Sequence, residues 1–139
     1  MKKVLFICVH NSGRSQMAEA FFNRMANGKA VAISAGTEPG SGVNPVVVRA
    51  MREVGIDISD KMPKLLTMEM VESSDLAITM GCMDEAKSCP AVFVPSEDWG
   101  LTDPHGKPIE EVRPIRDEIK RRVEALIKRL EMEETKAHS

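Results

Sequence analysis

The residues near the amino terminus that could do chemistry are a thiol, a guanidinium and a hydroxyl. Cys8 ends an apolar stretch, and after five residues come Arg14 and Ser15. Backbone N–H groups in a tight turn that leads into a helix form a concave site for a tetrahedral oxyanion. Arg14 can bind two oxygens of that anion in a fork, and the positive surroundings favour the thiolate of Cys8. The predicted oxyanion-binding residues are Val9, His10, Asn11, Ser12, Gly13, Arg14 and Ser15.

Each of these residues also has an ordinary structural explanation. A cysteine that ends a buried strand is often a small hydrophobic residue, and an arginine in a first helical turn is often solvated. The spacing of Cys8, Arg14 and Ser15 at one strand-to-helix turn is much more specific than any of the three alone. A nucleotide P-loop is excluded because a Gly-Lys-Ser/Thr ending is missing, and a dinucleotide site because the glycine triplet is missing.

Strands and helices alternate along the chain around this segment. Continuous apolar runs predict four short strands, at residues 4–8, 30–34, 76–80 and 91–94. Apolar residues at helical spacing predict helices, at residues 14–26, 45–54, 67–73 and 112–130. This order predicts an α/β fold with a four-stranded parallel sheet and helices on both faces. Ligands bind such sheets beyond the carboxyl ends of the strands, which is where Cys8 lies.

Length and composition limit the classes of protein. The chain has 139 residues, with 19 Lys and Arg against 21 Asp and Glu and a formal net charge of −2. This fits one domain over residues 1–139, with a frayed tail at 131–139. A nearly balanced charge lacks the excess of basic residues that binding to nucleic acid or an anionic membrane requires. No apolar run suits a membrane span or a secretory signal. We therefore predict a cytoplasmic protein that binds neither nucleic acid nor membrane.

Two further cysteines, Cys82 and Cys89, lie on a polar segment just after the third predicted strand, near the same sheet edge as Cys8. Their spacing is longer than the roughly two to four residues between the members of a zinc pair. We therefore assign no metal ligand, although a zinc site with Cys8 and His10, or two inert structural cysteines, are alternatives. Three cysteines, an odd number, argue against a secreted disulfide framework.

The spacing of Cys8, Arg14 and Ser15 resembles the hallmark of the low-molecular-weight protein tyrosine phosphatases. The resemblance covers nearly the whole chain and includes Ser-Ala-Gly at residues 34–36, Val-Asn-Pro at 43–45 and an Asp-Pro pair in a long loop. It implies that the aspartate of that pair, Asp103, is the general acid that protonates the leaving oxygen. The structural alternative is an aspartate that fixes a turn before a proline.

The cysteine pair is similar to that of the thioredoxin-coupled arsenate reductases, which share this fold. The resemblance implies that arsenate binds in the loop, that the Cys8 thiolate attacks arsenic, and that Asp103 helps a hydroxyl to leave. Cys82 then attacks the Cys8 sulfur and arsenite departs. Cys89 displaces Cys8, and reduced thioredoxin reopens the Cys82–Cys89 disulfide. The resemblance implies no bound cofactor, and phosphate or sulfate would compete for the oxyanion site.

Two other functions stay open. A phosphatase that hydrolyses phosphomonoesters through a Cys8 phosphocysteine needs neither Cys82 nor Cys89. Phosphatases of this fold usually carry aromatic residues after the Asp-Pro pair, whereas Asp103-Pro104 is followed here by a histidine and a glycine. A redox-sensing module, the second alternative, would be oxidised by peroxide at Cys8 and resolved by Cys82.

In some reductases of this family a potassium ion lies near the loop, held in part by residues that match Asn11 and Ser34. The other expected ligands match residues 60–64. The sequence Lys-Met-Pro-Lys at 61–64 departs from the expected pattern, so the resemblance does not predict a potassium requirement.

Overall fold

A four-stranded parallel sheet forms the centre of the protein, whose computed structural model describes residues 2–80 and 96–137, with side chains to 132. The strands, in the spatial order β2-β1-β3-β4, are β1 (Lys2–Cys8), β2 (Ala30–Gly36), β3 (Leu76–Thr79) and β4 (Ser96–Asp98). The helices are α1 (Arg14–Ala26), α2 (Pro45–Arg52), α3 (Met68–Glu72) and α4 (Ile109–Ala137). The predicted single α/β domain with a four-stranded parallel sheet is confirmed.

The buried residues of β1 alternate between two hydrophobic cores. Phe6 and Cys8 belong to the larger core, which also contains residues of α1, α2 and α4. Leu5 and Ile7 belong to a smaller core together with Val71 of α3. Because successive side chains of a strand point to opposite faces of a sheet, the two cores lie on opposite faces. The prediction of helices on both faces is therefore confirmed.

The helix boundaries near the candidate site follow local sequence signals. Asn27 ends α1 in the left-handed conformation with φ 49°, a conformation that asparagine tolerates better than most residues. The Asn44 side chain accepts a hydrogen bond from the amide of Val46 (2.9 Å), and Pro45 occupies the first position of α2. Asparagine caps and first-position prolines favour helix starts, so the predicted start of α2 is confirmed.

The fourth strand differs from the sequence prediction. The strand predicted at residues 91–94 lies outside the described residues. The described β4 instead lies at Ser96–Asp98, inside the stretch that we predicted to be a loop. Since β4 is a polar edge strand with two exposed residues, it has no run of apolar residues, and only its pairing with β3 defines it.

The last helix is longer than predicted at both ends. It begins at Ile109 instead of Val112, because the carbonyl of Pro108 accepts hydrogen bonds from the amides of Glu111 and Val112. It also continues to Ala137, through the tail that we predicted to be frayed. The apolar stripe stops near residue 130, but good helix formers continue beyond it. Within the two described ranges, no helix has both the length and the apolar character needed to cross a bilayer.

Candidate active site

The candidate nucleophile, Cys8, is the last residue of β1 and is buried. Its sulfur lies 2.8 Å from the hydroxyl oxygen of Ser15 and accepts a hydrogen bond from the amide of Asn11 at 3.2 Å. Residues 8–15, which we name the Cys8 loop, therefore curl round the sulfur and return to it at the start of α1.

Asn11 directs the Ser15 hydroxyl toward the sulfur. The side-chain amide of Asn11 donates to the Ser15 oxygen at 2.7 Å. Because that oxygen already accepts from Asn11, the hydroxyl proton of Ser15 is free to point at Cys8. Asn11 itself has φ 52°, the left-handed conformation that allows the loop to turn and that asparagine adopts more readily than most residues.

The outer side of the Cys8 loop is held by residues 37–44. Four loop carbonyls accept hydrogen bonds from this segment, those of Cys8, Val9, His10 and Ser12, at 3.2, 2.8, 3.0 and 2.9 Å. A planar trans peptide directs its carbonyl and the following amide to opposite sides, and the described residues contain no cis peptide. The amides that follow these carbonyls therefore point away from residues 37–44, and the one at Asn11 points at the Cys8 sulfur.

Close backbone approach explains one glycine beside the loop. A Cβ on Gly36 would lie 2.6 Å from the carbonyl oxygen of Val9 and 2.9 Å from the amide nitrogen of Asn11. Both are backbone atoms that cannot rotate away. Gly36 at the end of β2 therefore lets the sheet and the Cys8 loop pack directly against each other.

Arg14 joins three parts of the site. Its Nη1 donates to the carbonyl of Met80, at the end of β3, and to the carbonyl of Leu101 at 2.9 Å. Its Nη2 lies 3.9 Å from a carboxylate oxygen of Asp103. Since Arg14 is the first residue of α1, its charge adds to the positive end of the helix dipole beside the sulfur.

Asp103 lies on a second loop, residues 99–108, which we name the Asp103 loop. Its carboxylate accepts a hydrogen bond from the amide of His105 at 3.0 Å, so it does fix a turn, as the structural alternative stated. The same side chain lies beside Arg14 and lines the pocket above Cys8. The two interpretations of Asp103 are therefore compatible.

Most of the predicted site residues lie together. The pocket is lined by six of them, Cys8, His10, Ser12, Gly13, Arg14 and Asp103. Asn11 and Ser15 are buried behind the sulfur. His10 is exposed and its Nδ1 lies 3.0 Å from the carbonyl of Glu38. Cys82 and Cys89 lie outside the described residues.

Three further residues line the same pocket and were not predicted as site residues, namely Asn44, Pro104 and His105. Asn44 was noted only within the Val-Asn-Pro match, and the two others only by their position after Asp103. Proximity in sequence to Asp103 was the available signal for Pro104 and His105. The Val-Asn-Pro match was the available signal for Asn44, whose amide bonds to the Ser12 carbonyl and so holds it beside the Cys8 loop. Among the described residues no group of three His, Cys, Asp or Glu side chains could hold a metal ion.

Comparisons with known proteins agree with this geometry. Residues 3–136 match the family described as low molecular weight phosphotyrosine protein phosphatase. Arsenate reductase 2 of Staphylococcus epidermidis is 43% identical over 126 residues, which cover 89% of this chain and 95% of that protein.

Solved structures are similar as well. An arsenate reductase in the phosphate binding state is 37% identical with a TM-score of 0.81, covering 93% of this chain and 98% of its own. A thioredoxin-dependent arsenate reductase of Corynebacterium glutamicum is 38% identical with a TM-score of 0.79, covering 96% of this chain and 63% of its own. With its cysteine, arginine and aspartate arranged as described, the chain belongs to the low-molecular-weight phosphotyrosine protein phosphatase family.

Proposed function

We propose that this protein reduces arsenate to arsenite by a three-cysteine relay, with reduced thioredoxin as electron donor and no bound cofactor. The observation that carries the proposal is the Cys8 sulfur in a pocket that Arg14 and Asp103 also line, next to the end of β3, from which the chain continues to Cys82. Similarity to arsenate reductases along most of the chain supports the same reaction. Thioredoxin acts in the cytoplasm, where we expect the protein to be.

The Cys8 loop binds the oxyanion. In this proposal backbone amides of the Cys8 loop donate to the oxygens of arsenate, and the Arg14 guanidinium balances their charge. Phosphate and sulfate have the same tetrahedral shape and compete for this site. The contacts of Arg14 with the Met80 and Leu101 carbonyls support this role because they hold the guanidinium beside Cys8.

The first chemical step forms a bond between sulfur and arsenic. The Cys8 thiolate attacks arsenic, and Asp103 donates a proton to the departing hydroxyl, which leaves as water. Cys82 as thiolate then attacks the Cys8 sulfur. The electron pair of the sulfur–arsenic bond passes to arsenic, which leaves as arsenite, and a Cys8–Cys82 disulfide remains.

The remaining steps restore the thiols. Cys89 attacks the Cys82 sulfur and releases the Cys8 thiolate, which leaves a Cys82–Cys89 disulfide. The dithiol of thioredoxin reduces that disulfide by exchange. Two electrons have then moved from thioredoxin to arsenic.

Chain connectivity supports the attack of Cys82 on Cys8. The last described residue before Cys82 is Met80, whose carbonyl accepts from Arg14 and whose amide donates to the carbonyl of Ile7 at 2.9 Å. Ile7 precedes Cys8 in β1. Two residues of chain span at most about 7 Å, so the backbone permits a thiol two residues beyond Met80 to approach the sulfur.

Hydrolysis of phosphomonoesters is the second candidate function, because Cys8, Arg14 and Asp103 would suffice for it and the family description names a phosphatase. Among the described residues that line the pocket there is no Phe, Tyr or Trp, although the imidazole rings of His10 and His105 do line it. The only tryptophan of the chain, Trp99, is buried against Phe6 instead, with ring centroids 5.6 Å apart. A phosphotyrosyl ring would therefore find no phenyl or indole side chain to pack on in that part of the site, which favours a small oxyanion.

The test measures NADPH oxidation with thioredoxin, thioredoxin reductase and arsenate. The intact protein is compared with Cys82→Ser and Cys89→Ser, and hydrolysis of an aryl phosphate is measured in parallel. We expect sustained arsenate turnover only in the intact protein, while any aryl phosphate hydrolysis persists in both variants and disappears in Cys8→Ser. Unimpaired arsenate turnover in Cys82→Ser would refute the relay. Hydrolysis without any arsenate turnover in the intact protein would make the protein a phosphatase.

A further inference from the structure

A buried carboxylate lies behind the Cys8 loop. The Glu19 side chain on α1 is only 8% exposed. One of its oxygens accepts a hydrogen bond from the hydroxyl of Ser34 at 3.1 Å and lies 3.8 Å from the ammonium nitrogen of Lys64. A buried charge is costly unless it is paired and hydrogen-bonded. Within the part of the chain that the structure describes, Lys64 provides the only ion pair of Glu19.

The backbone of Lys64 is held by hydrogen bonds, whereas its side chain is 40% exposed and reaches Glu19 with its ammonium group. Its amide donates to the side-chain oxygen of Asn11 at 2.9 Å, and its carbonyl accepts from the amide of Gly36 at 2.8 Å. Lys64 therefore connects the end of β2, the turn residue of the Cys8 loop and the buried carboxylate of α1.

These contacts already engage the oxygens of Asn11 and Ser34, which match residues that hold a potassium ion in some reductases of this family. The side-chain oxygen of Asn11 already accepts from Gln16 at 3.1 Å and from the amide of Lys64. The hydroxyl proton of Ser34 is directed at Glu19. A second cation would also lie close to the Lys64 ammonium, which would repel it. The residues present do not fit potassium.

We propose that the Lys64 ammonium serves as a tethered monovalent cation for the Cys8 loop, so that the loop needs no potassium. Lys64 is then a positioning residue. Its charge neutralises Glu19, and its backbone amide orients the Asn11 side chain. Because the ammonium is covalently attached, its position is independent of the ions in solution.

A short path of contacts leads from Lys64 to the nucleophile. The Lys64 amide binds the Asn11 oxygen, and the Asn11 nitrogen donates to Ser15, whose hydroxyl lies 2.8 Å from the Cys8 sulfur. If the pairing with Glu19 is lost, the loop that contains Lys64 is less firmly held. Asn11 then loses part of its orientation, and the sulfur loses hydrogen-bonding support.

The first arm of the test uses the unmodified chain without arsenate. The rate at which iodoacetamide alkylates Cys8 is quantified on the Cys8 peptide by mass spectrometry across pH, in potassium chloride and in choline chloride of equal ionic strength. The thermal unfolding midpoint is measured in the same buffers. We expect both quantities to be the same in the two salts. A several-fold change in the alkylation rate with potassium would overturn the proposal.

The second arm removes the charge. Lys64→Met keeps most of the apolar stem, Lys64→Arg keeps the charge, and Lys61→Met removes an exposed lysine from the same stretch. We expect Lys64→Met to slow Cys8 alkylation at neutral pH roughly three- to tenfold, as for coupling through a hydrogen-bonded network. We also expect the alkylation rate of this variant to depend on potassium. Lys64→Arg and Lys61→Met should keep the rate and the insensitivity of the unmodified chain.

An unchanged alkylation profile in a folded Lys64→Met would overturn the proposal. If Lys64→Met does not fold, the salt comparison on the unmodified chain and on Lys64→Arg decides, and potassium dependence in either one would contradict the proposal. Neither arm requires arsenate turnover. Failure of the proposed reductase activity therefore leaves this test intact, and failure here leaves the relay open.

Discussion

The Cys8 loop and the Asp103 loop meet at one pocket but are built in opposite ways. In the Cys8 loop, Cys8, Asn11 and Ser15 are buried and hydrogen-bonded to one another. The Asp103 side chain is 52% exposed, and its distance to Arg14, 3.9 Å, is at the outer limit of an ion pair. An exposed pair at such a distance contributes little stability.

This difference indicates which parts of the reaction the fold prepares in advance. Anion binding and nucleophilic attack need fixed dipoles, and a rigid loop provides them without reorganisation. Proton donation must follow the departing oxygen, so the acid can be held more loosely and can tighten when the anion is bound. Arg14 contacts both loops. Substitutions that affect one loop and spare the other test this division.

Arg14→Lys should have the largest effect on turnover, because Arg14 contacts both loops. Lysine is a point charge and cannot bind two oxygens in a fork. It also loses donors to Met80 and Leu101. We expect turnover to fall on the order of 100- to 1,000-fold, as when an oxyanion-binding donor is removed, with much weaker protection of Cys8 by phosphate against alkylation.

The matched control for Arg14→Lys is Arg24→Lys. Arg24 is also on α1 and also donates to a carbonyl, that of Gly55 at 2.7 Å, but it is not part of the pocket lining. Turnover and phosphate protection in this variant should equal those of the unmodified chain. A loss in Arg24→Lys comparable to that in Arg14→Lys would mean that the effect is structural.

Asp103→Asn separates the two loops. Loss of a general acid costs turnover about 100-fold at the lower end of the usual range, whereas the hydrogen bonds to the Cys8 sulfur do not involve Asp103. We therefore expect slow turnover together with an unchanged rate of Cys8 alkylation. Asp60→Asn, at an exposed position of another loop, is the control. If alkylation slowed in parallel with turnover, the two loops could not be treated as separate.

Gly13→Ala tests the contact at which the loops touch. A Cβ on Gly13 would lie 2.9 Å from the ring carbon Cγ of Pro104. The Asp103 loop must then move away, which should lower turnover by less than Asp103→Asn does and should cost about 1 to 3 kcal/mol of unfolding free energy, as overpacking usually does. Gly42→Ala is the matched control, because a Cβ there meets nothing within 4 Å. Equal effects of the two substitutions on turnover would contradict a role for the contact.

The same two loops show what the sequence could predict. Cys8 at the end of an apolar strand, the capped start of α2 and the parallel order of the sheet follow from local patterns of residues, and these predictions are confirmed. The position of β4 could not be predicted, because its residues are polar and only the neighbouring strand defines it.

Long-range contacts were also beyond the reach of the sequence patterns. The bond from Lys64 to Asn11 joins residues that are 53 positions apart, and Lys64 on its own is typical of a solvated lysine. The departure at residues 61–64 from the potassium pattern was visible in the sequence. Its physical consequence, an ion pair with buried Glu19, required the folded structure.

The smallest effect concerns Glu53. Its ion pairs with Arg113 and Arg116 connect the end of α2 to the beginning of α4, just after the Asp103 loop. Hydrogen bonds from Arg113, and then from Arg116, lower the pKa of Glu53 from 4.5 to about 2. Because the pKa is lowered on folding, the ionised form stabilises the native state above about pH 4.5, and this contribution is lost as the pH falls to about 2.

Glu53→Gln removes this titration and leaves the Cys8 loop intact. Arg116 keeps its hydrogen bonds to the carbonyl of Ala50 (2.9 Å) and to Asp117 (2.9 Å), so the variant should fold and should retain turnover at neutral pH. We expect its urea midpoint to be slightly below that of the unmodified chain near pH 7 and the two midpoints to converge between about pH 4.5 and about 2. Glu124→Gln, at an exposed position of α4, controls for the loss of one charge. Reduced turnover at neutral pH in Glu53→Gln would mean that the ion pairs of Glu53 between α2 and α4 also set the position of Asp103. The looser of the two loops would then depend on a distant ion pair.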